Sequence, residues 1–415
     1  MSEAGYHDAR EQILPDALPS RDPAGVALRA GPVGEAPDLC IGQVQTRDGG
    51  RRAEVEVRLG PESHRFFYRS SDVGLHPSRE AALAMALLPA MRSGGRLRVE
   101  GRISRRLLSG IDTIQAIYRT WDRGLHRVEI TDVEPSDAAP EARRVASFFS
   151  GGVDSFYTLL KHRDEITDLL LVHGFDIDLD EAGLRAKASK AIREIGAELG
   201  KRVVEIETDL RSFLNPHAHW GRLGHGPALA SVGMIVSAHY RRIYIPGTHG
   251  YAHLFPWGSH PVLDPLWSTG SVEFVHDGAE ATRVEKTARV AQCEVALLHL
   301  RVCYRNPGGA YNCGVCEKCL RTMIGLRLAG ALDRCASFDR ELDLGRVARL
   351  RIRKENQRAF ATEILGALGN GPADRAVKKA LRAAMGGRGL RRARPALRTA
   401  ARAVHSRYRR LRGRV

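Results

Sequence analysis

At 415 residues the chain has room for two or three domains of ordinary size. Its 43% hydrophobic and 27% charged residues exclude a wholly disordered or fibrous polypeptide. The formal net charge of +16 sits almost entirely in residues 371–415, where 15 Lys and Arg face a single Asp, so the remainder is near neutral and the basic balance alone does not argue for nucleic-acid binding.

In chain order, residues 1–37 are rich in Ala, Gly, Pro and Asp without a sustained period and are expected to be a flexible lead-in. The opening MSEAGYHDAREQILPD has neither the basic start nor the apolar stretch of a signal peptide. Residues 38–133 read as a small α+β domain. Strands are predicted at Ala53–Leu59, His64–Tyr68, Arg96–Glu100 and Arg127–Ile130, with a helix capped by Ser78 and interrupted by Pro89. Residues 134–143 read as a Pro/Ala linker.

A second domain, 144–345, alternates strand and helix. The predicted strands are Val145–Phe149, Leu169–His173, Val203–Glu207 and Arg242–Ile245; the helices are Ser155–His162, Glu181–Leu199 and Pro227–Tyr240. Apolar strands separated by amphipathic helices imply an α/β fold with a parallel sheet covered on both faces. Residues 346–415 read as a helical, strongly basic extension. The longest apolar run, Ala228 to Ala238, has 11 residues, short of the ~18 a membrane span requires.

Between the first strand and helix of that domain lies Ser150-Gly151-Gly152-Val153-Asp154-Ser155. Two glycines allow a tight turn that presents backbone N–H groups, and the following helix adds its positive end, a combination suited to phosphate. Ser150 and Ser155 can donate hydroxyl hydrogen bonds, and Asp154 can hold Mg²⁺ or position the loop. The plain alternative is an ordinary glycine turn. The chain has neither GxxxxGK[ST] nor GxGxxG.

Four of the seven cysteines fall within 17 residues: Cys303, Cys313, Cys316 and Cys319. Four thiolates suit a closed structural Zn²⁺ site. An iron–sulfur cluster is the competing reading, because C-x2-C-x2-C also occurs in ferredoxins. A free-thiol cluster of this kind points to a reducing, cytoplasmic setting. Cys40, Cys293 and Cys335 read as small core residues.

SGGVDS after an apolar strand, together with the cysteine pattern, resembles the adenine nucleotide alpha-hydrolase (PP-loop ATP pyrophosphatase) superfamily. Within it the chain resembles the zinc-containing 7-cyano-7-deazaguanine synthases over residues 144–330. The resemblance implies a HUP-like, Rossmann-like sheet carrying a zinc knuckle. It implies an ATP-dependent C–N ligase that cleaves ATP between the α and β phosphates, with Ser150, Gly151, Gly152, Val153, Asp154 and Ser155 gripping pyrophosphate alongside Mg²⁺. Lys286 resembles a family lysine that reaches ATP phosphates, with Arg283 assisting; the competing reading places both on a solvated helix face. The four cysteines match the family zinc ligands. The synthases' Pro-Asp-Cys-Arg substrate segment has no counterpart here; IPGTHGYAHLFPWGSHPVLDPLWST replaces it, so the substrate is expected to differ.

On the substrate side, seven histidines fall from His217 to His260. Thr248, His249 and Tyr251 follow a strand end, where parallel sheets bind ligands, and His249 is the candidate base. Asp176, Asp178 and Asp264 are candidate Mg²⁺ or amine ligands, or simply turn residues. The expected reaction partners are a small-molecule or macromolecular carboxylate or amide acceptor and an ammonia or amine donor. The tail from Arg391 to Arg414 can bind RNA or another anionic surface, or stand as a solvated extension. A homodimer is left open. Two other functions share these features: a tRNA sulfurtransferase, which would need Cys293 or an iron–sulfur cluster, and a non-catalytic nucleotide-binding module.

Overall fold

In the computed structural model, residues 36–137 and 142–386 are described. Residues 1–35 of the lead-in, residues 138–141 of the linker and the stretch Arg391–Arg414 lie outside them. Ten strands form one mixed sheet in the order β10-β9-β6-β7-β8-β3-β2-β1-β4-β5. The first half of the chain supplies β1 (Leu39–Arg47), β2 (Arg52–Leu59), β3 (Glu62–Arg69), β4 (Leu97–Ser104) and β5 (Ile130–Ser136). β1, β2 and β3 form an antiparallel meander, and β4 and β5 add in parallel beside β1. β5 runs through Glu134–Ser136, where the sequence predicts linker.

The second half supplies β6 (Arg144–Phe148), β7 (Asp168–His173), β8 (Arg202–Thr208), β9 (Tyr240–Pro246) and β10 (Glu273–Asp277), all parallel. Taken by appearance in the chain, these five stand in the order 3-2-1-4-5, so the winding reverses between β6 and β9. In a sheet wound this way, ligands bind in the crevice beyond the carboxyl ends of the strands flanking the reversal.

The halves meet edge to edge. β3 pairs antiparallel with β8 through Tyr68 and Thr208 and through Arg69 and Glu207. Over this seam lie α1 (Arg79–Ser93) and α6 (His225–Ile235), packed on each other, while α2 (Arg105–Trp121) follows β4 and the short α5 (Leu210–Leu214) follows β8. α1 and α6 are apolar around their whole circumference, as a helix enclosed on all sides must be; Ala81 through Met91 are all buried. The sequence predicts an interruption of α1 at Pro89, yet the helix continues to Ser93 and closes on Gly94, whose N–H donates to the Ala90 carbonyl. Enclosure by neighbouring elements offsets the hydrogen bond that Pro89 cannot donate. The Tyr68 hydroxyl meets Ser231 Oγ at 2.5 Å, and that Oγ donates to the Ala81 carbonyl at 2.7 Å.

The other face of the parallel strands is covered by α3 (Val153–Lys161), α4 (Ala182–Leu199), α7 (Arg283–Val290) and α8 (Glu294–His299). A third apolar cluster unites α9 (Glu317–Leu328), α10 (Leu344–Arg349), α11 (Glu355–Ala367) and α12 (Pro372–Ala384). Among the described residues no helix is long and apolar enough to cross a membrane.

Candidate active site and cysteine centre

β6 ends at Phe148 beside the reversal, and the chain turns at once into α3. Gly151 makes the turn with φ +74°, a left-handed conformation that glycine adopts without strain. Gly152 caps α3 and lends it no side chain, so no side-chain oxygen claims the first-turn N–H groups. Such a terminus attracts anions. Ser150 is exposed and Val153 is buried. The Ser155 hydroxyl, expected to face a ligand, instead donates to the Gly152 carbonyl at 3.0 Å and tightens the turn.

Asp154 stands in the first turn of α3 between two cations carried by α7. Arg283 Nη2 donates to its Oδ2 at 2.9 Å, and Lys286 Nζ lies 3.6 Å from Oδ1. Lys286 also donates to the Gly247 carbonyl at 2.7 Å, just beyond β9. Neither cation lies on a solvated helix face: Arg283 is 8% and Lys286 1% exposed. Burial favours the neutral carboxyl, but the charges of Arg283 and Lys286 outweigh it and hold Asp154 below the ordinary carboxylate range. Asp154 Oδ1 is buried without a hydrogen-bond partner.

Of the histidines near the site, most are packing groups. His225 bonds to the Trp220 carbonyl and accepts from the Ser259 N–H; His239 bonds to the Gly74 carbonyl; His260 Nδ1 accepts from the Val262 N–H. His249 is different, with both ring nitrogens buried and unpartnered. It stacks on Phe360 of α11 at 5.2 Å and meets Phe255 edge-on at 4.5 Å. Burial, then the Arg283 charge, lower its pKa to about 3, which makes it a weak base near neutrality and argues against the base role. Tyr251 is turned outward, 63% exposed. Asp264 is fully buried and accepts from Ser259 Oγ, the His260 N–H and His276 Nδ1, so it has a structural task; Asp176 and Asp178 are exposed in the loop after β7.

Arg301, Arg321 and Phe360 also stand near the site, though no motif in the sequence marks them. All three are at least nine-tenths buried, and Phe360 receives Arg321 Cζ 3.9 Å from its ring centroid. A signal of position was available for the arginines, since they flank the cysteine segment. None was available for Phe360, which arrives from what the sequence marks only as a basic extension.

Cys303, Cys313, Cys316 and Cys319 are buried, and their sulfurs lie within 4.8 Å of one another. Cys303 and Cys316 are 4.0 Å apart, Cys313 and Cys319 3.8 Å. An ion bound tetrahedrally through metal–sulfur bonds of about 2.3 Å separates its sulfurs by about 3.8 Å. The tetrad can therefore hold a single metal ion such as zinc, whereas a four-iron cube would need its thiolates spread further. The hydrogen bond from Cys316 favours the thiolate of Cys303 and pushes the Cys316 thiol up to about 12. Asn312 joins the two arms: its Oδ1 accepts from the Val302 and Cys303 N–H groups, and its Nδ2 donates to the Leu300 and Ser337 carbonyls. Cys335 is buried, while Cys40 and Cys293 are partly exposed. Among the described residues no other group of three or more His, Cys, Asp and Glu is gathered for a metal.

No family model, curated protein or solved structure matches this chain.

Proposed function

We propose that the chain uses ATP to adenylate a carboxylate or amide oxygen, releasing pyrophosphate, and that a nitrogen nucleophile then displaces AMP to give an amide- or nitrile-type product. On this reading the five parallel strands are a Rossmann-like, HUP-like sheet. The acceptor oxygen attacks the α-phosphorus, the bond from that phosphorus to the α–β bridging oxygen breaks, and its electron pair leaves with pyrophosphate. Ammonia or an amine then attacks the activated carbon and AMP departs.

The observation that carries the reading is the glycine loop at the carboxyl end of β6, uncapped, beside the winding reversal, with Arg283 and Lys286 buried against Asp154. The chain's part is to hold and neutralise. The backbone N–H groups from Gly151 to Ser155 and the two cations would take the outer phosphates, and charge stabilisation of this kind is often the largest catalytic contribution. Asp154, the loop's one carboxylate, has an unpartnered buried Oδ1 and would hold Mg²⁺. When bound, Mg²⁺ shares the charge of the leaving pyrophosphate. The four cysteines would hold Zn²⁺ in a closed, structural role.

The test is to incubate the protein with ATP and Mg²⁺ and identify the products. AMP and pyrophosphate are expected, and ADP and phosphate would contradict the reading. Asp154→Ala should lower turnover on the order of 10²-fold or more while the cysteine centre keeps its metal. Unchanged turnover would move the chemistry off the loop.

A further inference from the structure

Arg301 stands two residues before Cys303, and Arg321 two residues after Cys319. The segment that carries the four thiols is thus bounded by two arginines, 6% and 9% exposed. Arg301 is fastened to the glycine loop, its backbone N–H donating to the Gly151 carbonyl at 2.8 Å. Its side chain starts 3.7 Å from where a Cβ on Gly151 would stand. Arg301 Nε and Nη2 are buried without a hydrogen-bond partner, as is Arg283 Nε. Arg321 and Arg283 share the Phe360 ring, at 3.9 and 5.2 Å from its centroid.

Asp154 is paired with Arg283 and Lys286, Glu317 stands 3.5 Å from Arg321, and the buried side chain of Glu363 accepts from the Arg283 backbone N–H at 2.8 Å. A buried guanidinium whose N–H groups lack partners is unfavourable unless an anion completes it. The unpartnered guanidinium N–H groups are donors of the kind that bind phosphate oxygens.

We propose that the cysteine centre is the assembling device of this anion site. With an ion bound, the four thiolates fix both ends of the segment and hold Arg301 at the glycine loop and Arg321 on Phe360. Polyphosphate affinity therefore depends on the metal content of the centre. The proposal rests on the reading of the loop as a polyphosphate site. It assigns the metal no contact with the ligand; Arg301 and Arg321 are the residues that touch it.

The experiment is calorimetric titration of inorganic pyrophosphate into the metal-loaded protein, the same protein after chelation, and the chelated protein refilled with Zn²⁺, with metal content and far-UV circular dichroism measured on each. Chelation should weaken binding at least about tenfold and refilling should restore it. Arg301→Gln and Arg321→Gln should each weaken binding about tenfold, the scale of one charge-assisted hydrogen bond, while retaining the full metal content. A chelated protein that keeps its circular dichroism spectrum and binds pyrophosphate as tightly as the metal-loaded one overturns the proposal; should chelation unfold the chain, the two variants test the arginine contacts on which it depends. Pyrophosphate binding that both variants keep at the wild-type level overturns the proposal and leaves the loop reading intact. Failure of the metal-loaded wild type to bind pyrophosphate overturns the loop reading as well.

Discussion

His249 faces a ring of aromatic and cationic neighbours, and its surroundings decide its charge. Because its pKa falls to about 3, the folded chain keeps it neutral where the unfolded chain protonates it near pH 6.5. The unfolded state then binds more protons, so stability declines as pH falls from about 6.5 toward 3, by up to about 1.4 kcal/mol per pH unit. His249→Phe removes this contribution. The difference in unfolding free energy between pH 7 and pH 5, read by urea titration, should shrink by about 2 kcal/mol in the variant. An equal difference in both proteins would mean that His249 titrates like a free imidazole. Burial also lowers His225 and His260, but His225 has both ring nitrogens bonded to backbone groups and His260 its Nδ1, whereas both nitrogens of His249 are unpartnered and Asp154 only partly offsets its burial and the Arg283 charge.

Among the elements, close approaches of backbone to backbone set what the chain tolerates near the strand ends. Gly174, directly after β7, has φ +94°, and a Cβ there would stand 1.9 Å from the Thr208 carbonyl oxygen at the end of β8. Gly174→Ala should therefore cost at least about 2 kcal/mol, combining backbone strain with overpacking. Gly183, in the first turn of α4, has open space around it, and Gly183→Ala should be neutral or stabilising by up to about 1 kcal/mol. Thermal unfolding of the pair reads both effects, and equal melting temperatures would refute the argument. α1 makes the complementary point. Its proline predicts a break when the helix is read by itself, and burial on every side carries the helix through. Local rules are reliable where the neighbours are water and weaker where they are other elements.

At the scale of the whole molecule, the seam between the halves is continuous. The largest apolar cluster runs from Leu39 on β1 to Phe274 on β10, and α1 lies against α6 across it. A fragment of residues 142–386 would leave the β8 edge unpaired and the apolar surface of α6 in water, so it should not fold cooperatively alone, while the full chain should melt in one transition. A fragment that melts cooperatively at the temperature of the full chain would contradict this.

Most of the parallel strands were legible because strands buried on both faces read as apolar runs: β6, β7 and β8 are placed to within a residue or two. The charged and polar β1 and β10 were not, since their character comes from neighbours far away in the chain. In the candidate site, the loop and the cysteines declared themselves by spacing. The pairing of Asp154 with Arg283 and Lys286, and the arrival of Phe360, are products of packing among α3, α7, α9 and α11 that no local pattern encodes.

On the proposed function, residues 150–155 hold the outer phosphates of a nucleotide. The most direct measurement is a crystal structure with Mg²⁺ and α,β-methylene-ATP, an analogue that cannot be cut between those phosphates. The β- and γ-phosphates should lie within hydrogen-bond reach of the backbone from Gly151 to Ser155 and of Arg283 and Lys286. A nucleotide bound elsewhere, with this loop unchanged and solvent over it, would contradict the account.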